Sequence, residues 1–263
     1  RVLGRLGLSN PLRFHVGPLP EWSETESNDS QATANAVAGL PAVLNGQIMP
    51  GDVDYWRLSA RRGQKLVIRI AARALVPYLA DAVPGWFQAT ATLYDAAGRQ
   101  VAYADDYRFD PDPVLLFEVP QDGEYVLEIR DSIFRGREDF VYRASVGELP
   151  FITSAFPLGV KRGEKTTVSL QGWNLPADKT KIELTPDRVG IDQLSVPGAA
   201  GLSNAVPLAV DDVTEFSDRE PNDQPSQAME VTLPAAINGR IDRPGDWDVV
   251  RFRAAEGQVI EAQ

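Results

Sequence analysis

Two sets of oxygen-bearing side chains recur in this chain at matched spacing. Glu24, Glu26, Asn28 and Asp29 lie close together, and Asp52 and Asp54 follow in the stretch Gly51-Asp52-Val53-Asp54. The set returns as Asp218, Glu220, Asn222, Asp223, Asp246 and Asp248, offset by 194 residues, with Asp218 standing for Glu24. Carboxylates and amides are hard ligands. Calcium takes about six to eight oxygens at roughly 2.3–2.6 Å, from carboxylates, carbonyls, amides and water. In an extended segment Glu24, Glu26 and Asn28 point the same way, because side chains alternate. One segment supplies too few ligands, so Asp52 and Asp54, before a strand over Tyr55–Leu58, are expected to complete the shell. The same residues also suit a metal-free role. Asn28 or Asp29 can cap a short helix over 30–37, and acids before a helix are favoured by its dipole.

The elements that must hold these residues are repeated with them. Residues 5–29 and 199–223 align without a gap and share 10 of 25 positions. Gly63-Gln64 answers Gly257-Gln258 in the same register. A period this long is a unit of whole domains, not a solenoid turn. Within it the pattern is β. Tyr125, Leu127 and Ile129 share one face, as do Phe140, Tyr142, Ala144 and Val146. A period of two marks a half-buried strand. Similar runs cover 65–71, 89–95, 114–119 and 166–171, separated by turn signals such as Asp95-Ala96-Ala97-Gly98. Helix is scarce. The two candidates are Ser30–Val37 and a Pro77-weakened stretch over 72–83.

Four segments follow. Residues 1–20 are the last strands of a preceding small domain, 21–148 a complete large sandwich, 149–212 a smaller all-β unit, and 213–263 the first half of a second large sandwich. A half sandwich leaves a sheet face open. It therefore needs its missing half, a neighbouring chain or partial order.

Composition excludes several functions. The net charge is −11, from 37 acids against 26 bases. Phosphate backbones need a basic face, so nucleic acid is not an expected partner. There is no cysteine, which removes disulfides, zinc–thiolate sites and cysteine nucleophiles. His15 is the only histidine and its counterpart is Ala209. No Gly-x-Ser-x-Gly elbow accompanies it, and no phosphate-binding glycine loop is present. The most apolar stretch, 66–82, is broken by Arg69, Arg73 and Pro77, so no membrane span is expected. No secretory leader opens at Arg1. The expectation is a fragment of a longer chain whose targeting signal lies outside it.

The stretch from Glu24 to Val146 resembles the bacterial pre-peptidase C-terminal (PPC) domain. The resemblance rests on Glu24-Thr25-Glu26-Ser27-Asn28-Asp29, Asn45-Gly46-Gln47-Ile48, Asp52-Val53-Asp54-Tyr55-Trp56-Arg57-Leu58, Leu93-Tyr94-Asp95 with Gly98, Ala104-Asp105-Asp106, and Gly123-Glu124-Tyr125. Glu220-Pro221-Asn222-Asp223 and Asp246-Trp247-Asp248 open a second, truncated copy. Pro150-Phe151-Ile152, Gly163 and Gly172-Trp173-Asn174-Leu175 resemble an immunoglobulin-like TIG/IPT domain. Alternation of the two is similar to large exported proteins of planctomycete-type bacteria. The resemblance implies an all-β fold, with a jelly-roll-like sandwich and a smaller immunoglobulin-like sandwich in tandem. It implies an accessory role outside the cell: secreted, periplasmic or on the cell surface. It also implies calcium, as in the collagen-binding domains of clostridial collagenases, where a linker of this type folds over the sandwich.

The leading expectation is a non-catalytic calcium-binding module whose metal pins the interdomain linker, its partners being other domains of the same longer chain. A second is a binding module for extracellular protein fibres or polysaccharide, using Trp86, Phe87, Tyr103, Tyr107 and Phe109. A third is a hydrolase built on Asp105, Asp106, Asp110 and Asp112. The same loop is also a candidate second cation site.

Overall fold

The computed structural model describes residues 1, 3–5, 7–9, 11, 13–77 and 85–262. The chain forms two compact units. One is Arg1–Phe151 with Pro197–Leu202, and the other is Ile152–Val196 with Ser203–Gln263.

The first unit opens on a two-residue hairpin, β1 (Leu3–Gly4) with β2 (Gly7–Leu8). His15 follows in an irregular segment rather than a strand. The large sandwich then uses ten strands: β3 (Glu21–Ser23), β4 (Asn35–Ala36), β5 (Ala42–Gln47), β6 (Asp54–Ala60), β7 (Lys65–Ala71), β8 (Ala89–Tyr94), β9 (Gln100–Ala104), β10 (Val114–Glu118), β11 (Gly123–Asp131) and β12 (Val141–Gly147). They form two five-stranded sheets, ordered β10-β7-β12-β5-β3 and β4-β6-β11-β8-β9. Alternation decides what lies between them. Leu44, Trp56, Leu58, Ile68, Leu93, Leu127, Ile129, Tyr142 and Ala144 belong to a single buried cluster. Trp56 and Leu58 face that core while Arg57 stays outside it.

Two strands in this sandwich are parallel to their neighbours. β3 adds to the edge of one sheet beside β5, and β4 adds to the edge of the other beside β6. Residues 24–34 link the two, so the acidic segment crosses from one sheet edge to the other.

The second unit contains a smaller sandwich of β13 (Phe151–Phe156), β14 (Gly159–Lys161), β15 (Thr166–Trp173), β16 (Lys181–Leu184), β17 (Gly190–Leu194) and, after the hairpin β18 (Pro197–Gly198) with β19 (Gly201–Leu202), β20 (Val206–Asp211). Its sheets run β13-β15-β16 and β14-β20-β17. Ile152, Val160, Val168, Leu170, Leu208 and Val210 fill the space between them. The copy of the acidic segment follows in β21 (Thr214–Ser217), β22 (Met229–Glu230), β23 (Ala235–Asn238) and β24 (Val250–Arg251). β21 pairs in parallel with β23, and β22 with β24, repeating the two parallel additions of the large sandwich. Phe252, the counterpart of fully buried Leu58, is 41% exposed, so the copy's apolar face is open.

The expected helix over 30–37 does not form. Ser30 and Thr33 close a turn through their own side chains, with Oγ atoms 2.8 Å apart and the Thr33 amide 3.1 Å from the Ser30 carbonyl. Side chains that bond the local backbone compete with helix in this way. Asn35 and Ala36 are then taken into the sheet opposite Trp56 and Arg57. The other helix candidate is a turn over Arg73–Leu75, and its residues 78–83 lie outside the described set.

Leu127 lies at the centre of β11, between β6 and β8, and is fully buried. Leu127→Ala is expected to lower unfolding free energy by about 2–5 kcal/mol in urea titration. Val101→Ala on the exposed face of β9 is expected to change it by less than about 0.5 kcal/mol.

Candidate metal centre

The strap is held at both ends by backbone bonds. The Glu24 amide donates to the Asn45 carbonyl at 3.0 Å, and the Tyr55 amide donates to the Asn28 carbonyl at 3.1 Å. Asn35 ties down its middle, accepting from the Thr25 amide at 2.6 Å and donating to the Thr25 carbonyl at 3.0 Å. This anchoring aims the strap's acids at the start of β6.

Two carboxylate trios result. Glu24, Glu26 and Asp54 form an inner group, and Glu26, Asp29 and Asp52 an outer one. In each, the ligand oxygens lie within 4.8 Å of one another. Oxygens on opposite sides of a calcium ion stand about 5 Å apart, so each trio spans the right width. Glu26 belongs to both. All five sequence-predicted acids of the first copy are therefore brought together. Asn28 lies between them in the chain, fully buried, and neither its Oδ1 nor its Nδ2 has a partner.

Inner-site geometry rests on side chains from elsewhere in the sandwich. Tyr142 of β12 donates its hydroxyl to Asp54 Oδ2 at 2.5 Å, and Trp56 Nε1 donates to that hydroxyl at 2.8 Å. Glu24 Oε1 accepts from the Gln47 amide at 2.8 Å. The remaining oxygens, Glu24 Oε2 and Asp54 Oδ1, are buried without a donor. A buried acceptor left unpaired costs about 1–3 kcal/mol. Gly46 makes room for the arrangement: a Cβ there would overlap the Glu24 carboxylate and the Tyr142 ring.

Electrostatics report the same crowding. Burial, and then the adjoining Glu24, pushes the Asp54 carboxyl up to about 10. Burial raises Glu24 as well, against the lowering effect of the adjoining Asp54 carboxyl and the Gln47 amide. Burial, and then the charges of Glu26 and Asp29, raises Asp52. Burial and mutual repulsion thus favour a proton on the Glu24–Asp54 pair when no cation is present. A cation supplies the same missing positive charge.

The second copy reproduces this construction. Asp218, Glu220 and Asp248 form the inner trio, and Glu220, Asp223 and Asp246 the outer. The Asp218 amide bonds the Asn238 carbonyl at 2.8 Å and the Val249 amide bonds the Asn222 carbonyl at 3.2 Å. Asn222 is 1% exposed; its Nδ2 reaches Asp218 Oδ1 at 2.6 Å while its Oδ1 has no partner. Asp248 Oδ1 is likewise buried and unpaired. Gly239 plays the part of Gly46, since a Cβ would overlap Asp248. Burial, and then the charge of Asp218, raises the Asp248 carboxyl. The peptide bonds Glu26–Ser27 and Glu220–Pro221 are both cis.

The other sequence candidates do not converge. Asp105, Asp106, Asp110 and Asp112 form no carboxylate group of metal-binding size among the described residues. Asp112 instead turns inward and accepts from the Arg73 and Ala74 amides at 2.7 and 2.8 Å. The proposed aromatic face is also dispersed. Phe87 stacks on Phe140 in the core, Tyr107 packs edge-on against Phe151, and Trp86 lies under Arg73. Tyr103 and Phe109 remain exposed. Sequence reasoning missed Gly46, Tyr142 and Trp56 as supports. The available signal was Asn-Gly, present as Asn45-Gly46 and again as Asn238-Gly239.

No protein-family profile matches the chain. A stretch of 106 residues, 40% of this chain, is 30% identical to a probable subtilase-type serine protease of Deinococcus radiodurans. The match spans only 14% of that protease's length. Among solved structures, the chain is similar to the pre-peptidase C-terminal domain of collagenase from Bacillus anthracis, with 17% identity, a TM-score of 0.31, and coverage of 43% of this chain and 93% of that one. It is also similar to PliG, a periplasmic inhibitor of g-type lysozyme from Aeromonas hydrophila, with 15% identity, a TM-score of 0.28, and coverage of 42% and 93%.

A carboxyl that the fold keeps protonated stabilises it fully below its unfolded pKa of 3.8, and loses that contribution as pH rises toward about 10. In chelator, raising pH from 6 to 9 is therefore expected to destabilise this site. Asp54→Asn keeps a donor facing Glu24 at every pH. Its metal-free melting temperature should exceed wild type at pH 8, by the equivalent of about 1–3 kcal/mol, and the gap should widen with pH in thermal melts. Gly46→Ala should cost about 1–3 kcal/mol through overpacking and weaken cation binding in the same preparation. Gly123→Ala, where a Cβ meets nothing within 4 Å, should leave cation binding unchanged.

Proposed function

We propose that this chain is a non-catalytic, calcium-binding accessory region of an exported bacterial multidomain protein. The observation that carries the reading is the pair of overlapping acid trios, built twice, each inner trio holding a buried carboxylate oxygen with no donor. Calcium fits this chemistry best. It accepts many hard oxygen ligands in a flexible geometry, whereas magnesium demands a near-ideal octahedron and keeps its waters. Glu24, Glu26, Asn28, Asp29, Asp52 and Asp54 would hold it in the first copy, and Asp218, Glu220, Asn222, Asp223, Asp246 and Asp248 in the second.

In this reading the ion is a staple. It neutralises five clustered carboxylates and ties the strap between β3 and β4 to the start of β6. The strap lies just inside the entry to the sandwich, after β3, so the metal would bear on the direction from which a preceding domain enters. The resemblance to PPC and TIG/IPT domains supports a tandem array, and the match to a subtilase-type protease supports attachment to an exported enzyme or surface protein. Its ligands beyond calcium would be other domains of the same chain.

Ligand bound only to the native state stabilises it by about 2.7 kcal/mol at a hundredfold excess over Kd. Millimolar calcium should therefore raise the melting temperature by several degrees, and chelator should reverse the shift. Asp54→Ala combined with Glu26→Ala should remove the first copy's share of the shift, and adding Asp248→Ala and Glu220→Ala should abolish the rest. An unchanged melting temperature in calcium and in chelator would overturn the proposal.

A further inference from the structure

The two acid clusters differ at one position that faces the outer trio. The turn entering the first cluster reads Met49-Pro50-Gly51-Asp52, and the turn entering the second reads Arg243-Pro244-Gly245-Asp246. Both close with the same backbone bond, from the Asp52 amide to Met49 and from the Asp246 amide to Arg243, at 3.0 and 3.2 Å. Met49 offers no charge. Arg243 reaches across the outer trio instead. Its Nη2 lies 2.9 Å from Asp223 Oδ2, and its Nε lies 3.6 Å from Asp246 Oδ1.

The other oxygens of those two acids are also occupied. Asp223 Oδ1 accepts from the Trp247 amide at 3.2 Å, and Asp246 Oδ2 accepts from the Asp242 amide at 2.6 Å, the latter matched in the first copy by the Met49 amide 3.0 Å from Asp52 Oδ2. In the first copy no salt bridge among the described residues involves Glu26, Asp29 or Asp52. Arginine is permanently protonated and presents a rigid fork of donors to carboxylates. It is a fixed cation placed where a mobile one would bind.

We infer that the two copies carry different numbers of ions. The first copy takes a pair of calcium ions that share Glu26. The second takes one, in its inner trio, because Arg243 serves as the cation of its outer trio. The second joint is thereby part-stapled at any calcium concentration, and the first depends wholly on the ion. The inference rests on the calcium reading of the motif.

The inner trio of the second copy keeps its own case for an ion. Asn222 Oδ1 and Asp248 Oδ1 stay buried and unpaired there, and the arginine fork is directed at Asp223 and Asp246 rather than at Asp218 or Asp248.

The test is a count of calcium per full chain, by metal analysis after equilibrium dialysis and by native mass spectrometry. Wild type should hold three ions. Arg243→Met should hold four, and Met49→Arg should hold two. Both residues are on the surface, 65% exposed at the Arg243 side chain and 43% at Met49, so neither swap disturbs the core. Four ions in wild type, or counts that neither swap changes, would overturn the inference while leaving calcium binding intact. A wild-type chain that holds no calcium removes the calcium reading itself, and this inference with it.

Discussion

Two buried carboxylates facing one another without a donor govern the rest of this structure. Glu24 Oε2 and Asp54 Oδ1 sit in the inner trio with nothing to neutralise them. Such a contact persists only with a proton or a cation between the oxygens, since desolvated like charges otherwise repel strongly. Everything nearby is arranged to keep the contact. Tyr142 and Trp56 hold Asp54 from the core side, the Gln47 amide holds Glu24, and Gly46 leaves the space in which both fit. With this much acid and so few donors, the contact favours a proton or a cation.

The fold explains why that charge matters to architecture. A strap joining the edges of two sheets has few ways to hold itself down. β3 and β4 contribute three and two residues to their ladders, far less than a central strand such as β11, with nine. Short edge strands are weak partners. A cation at the start of β6 would add attachments in the middle of the strap, where backbone pairing runs out. In the second unit the same strap is bound by the same backbone bonds at both ends. What repeats is thus the strap with its anchors, including its unpaired oxygens.

Much of this was legible in the sequence because acids and glycines advertise themselves. The alternation of Tyr125, Leu127 and Ile129 fixes which face of β11 is buried, and the repeat isolates Glu24 to Asp54 from the remaining acids. The helix over 30–37 was misread because Ser30 and Thr33 suit a helix cap and a side-chain-closed turn equally well. Only the pairing of Asn35 and Ala36 with β6, a non-local contact, decides between them. The aromatics from Trp86 to Phe109 failed as a face for a related reason. They come from a loop-rich stretch, where spacing in the chain says little about direction in space. Tyr142 was read as a core strand residue, and so it is. Its hydroxyl has a second use that is visible only when β12 lies opposite β6.

The chain's acidity takes on a different meaning in this light. A net charge of −11 first suggests a solvated acidic surface. Yet ten of the 37 acids belong to the two clusters, and without them 27 acids face 26 bases. Nearly all of the excess is therefore concentrated in the two clusters. Diffuse charge of that size would serve solubility and be screened within about 10 Å at moderate salt. Charge packed into trios less than 5 Å across, and partly desolvated, is screened far less. It acts on the one strand crossing that each cluster surrounds. Arg243 fits that logic, because a single positive side chain placed inside a cluster changes the balance there more than any number on the open surface.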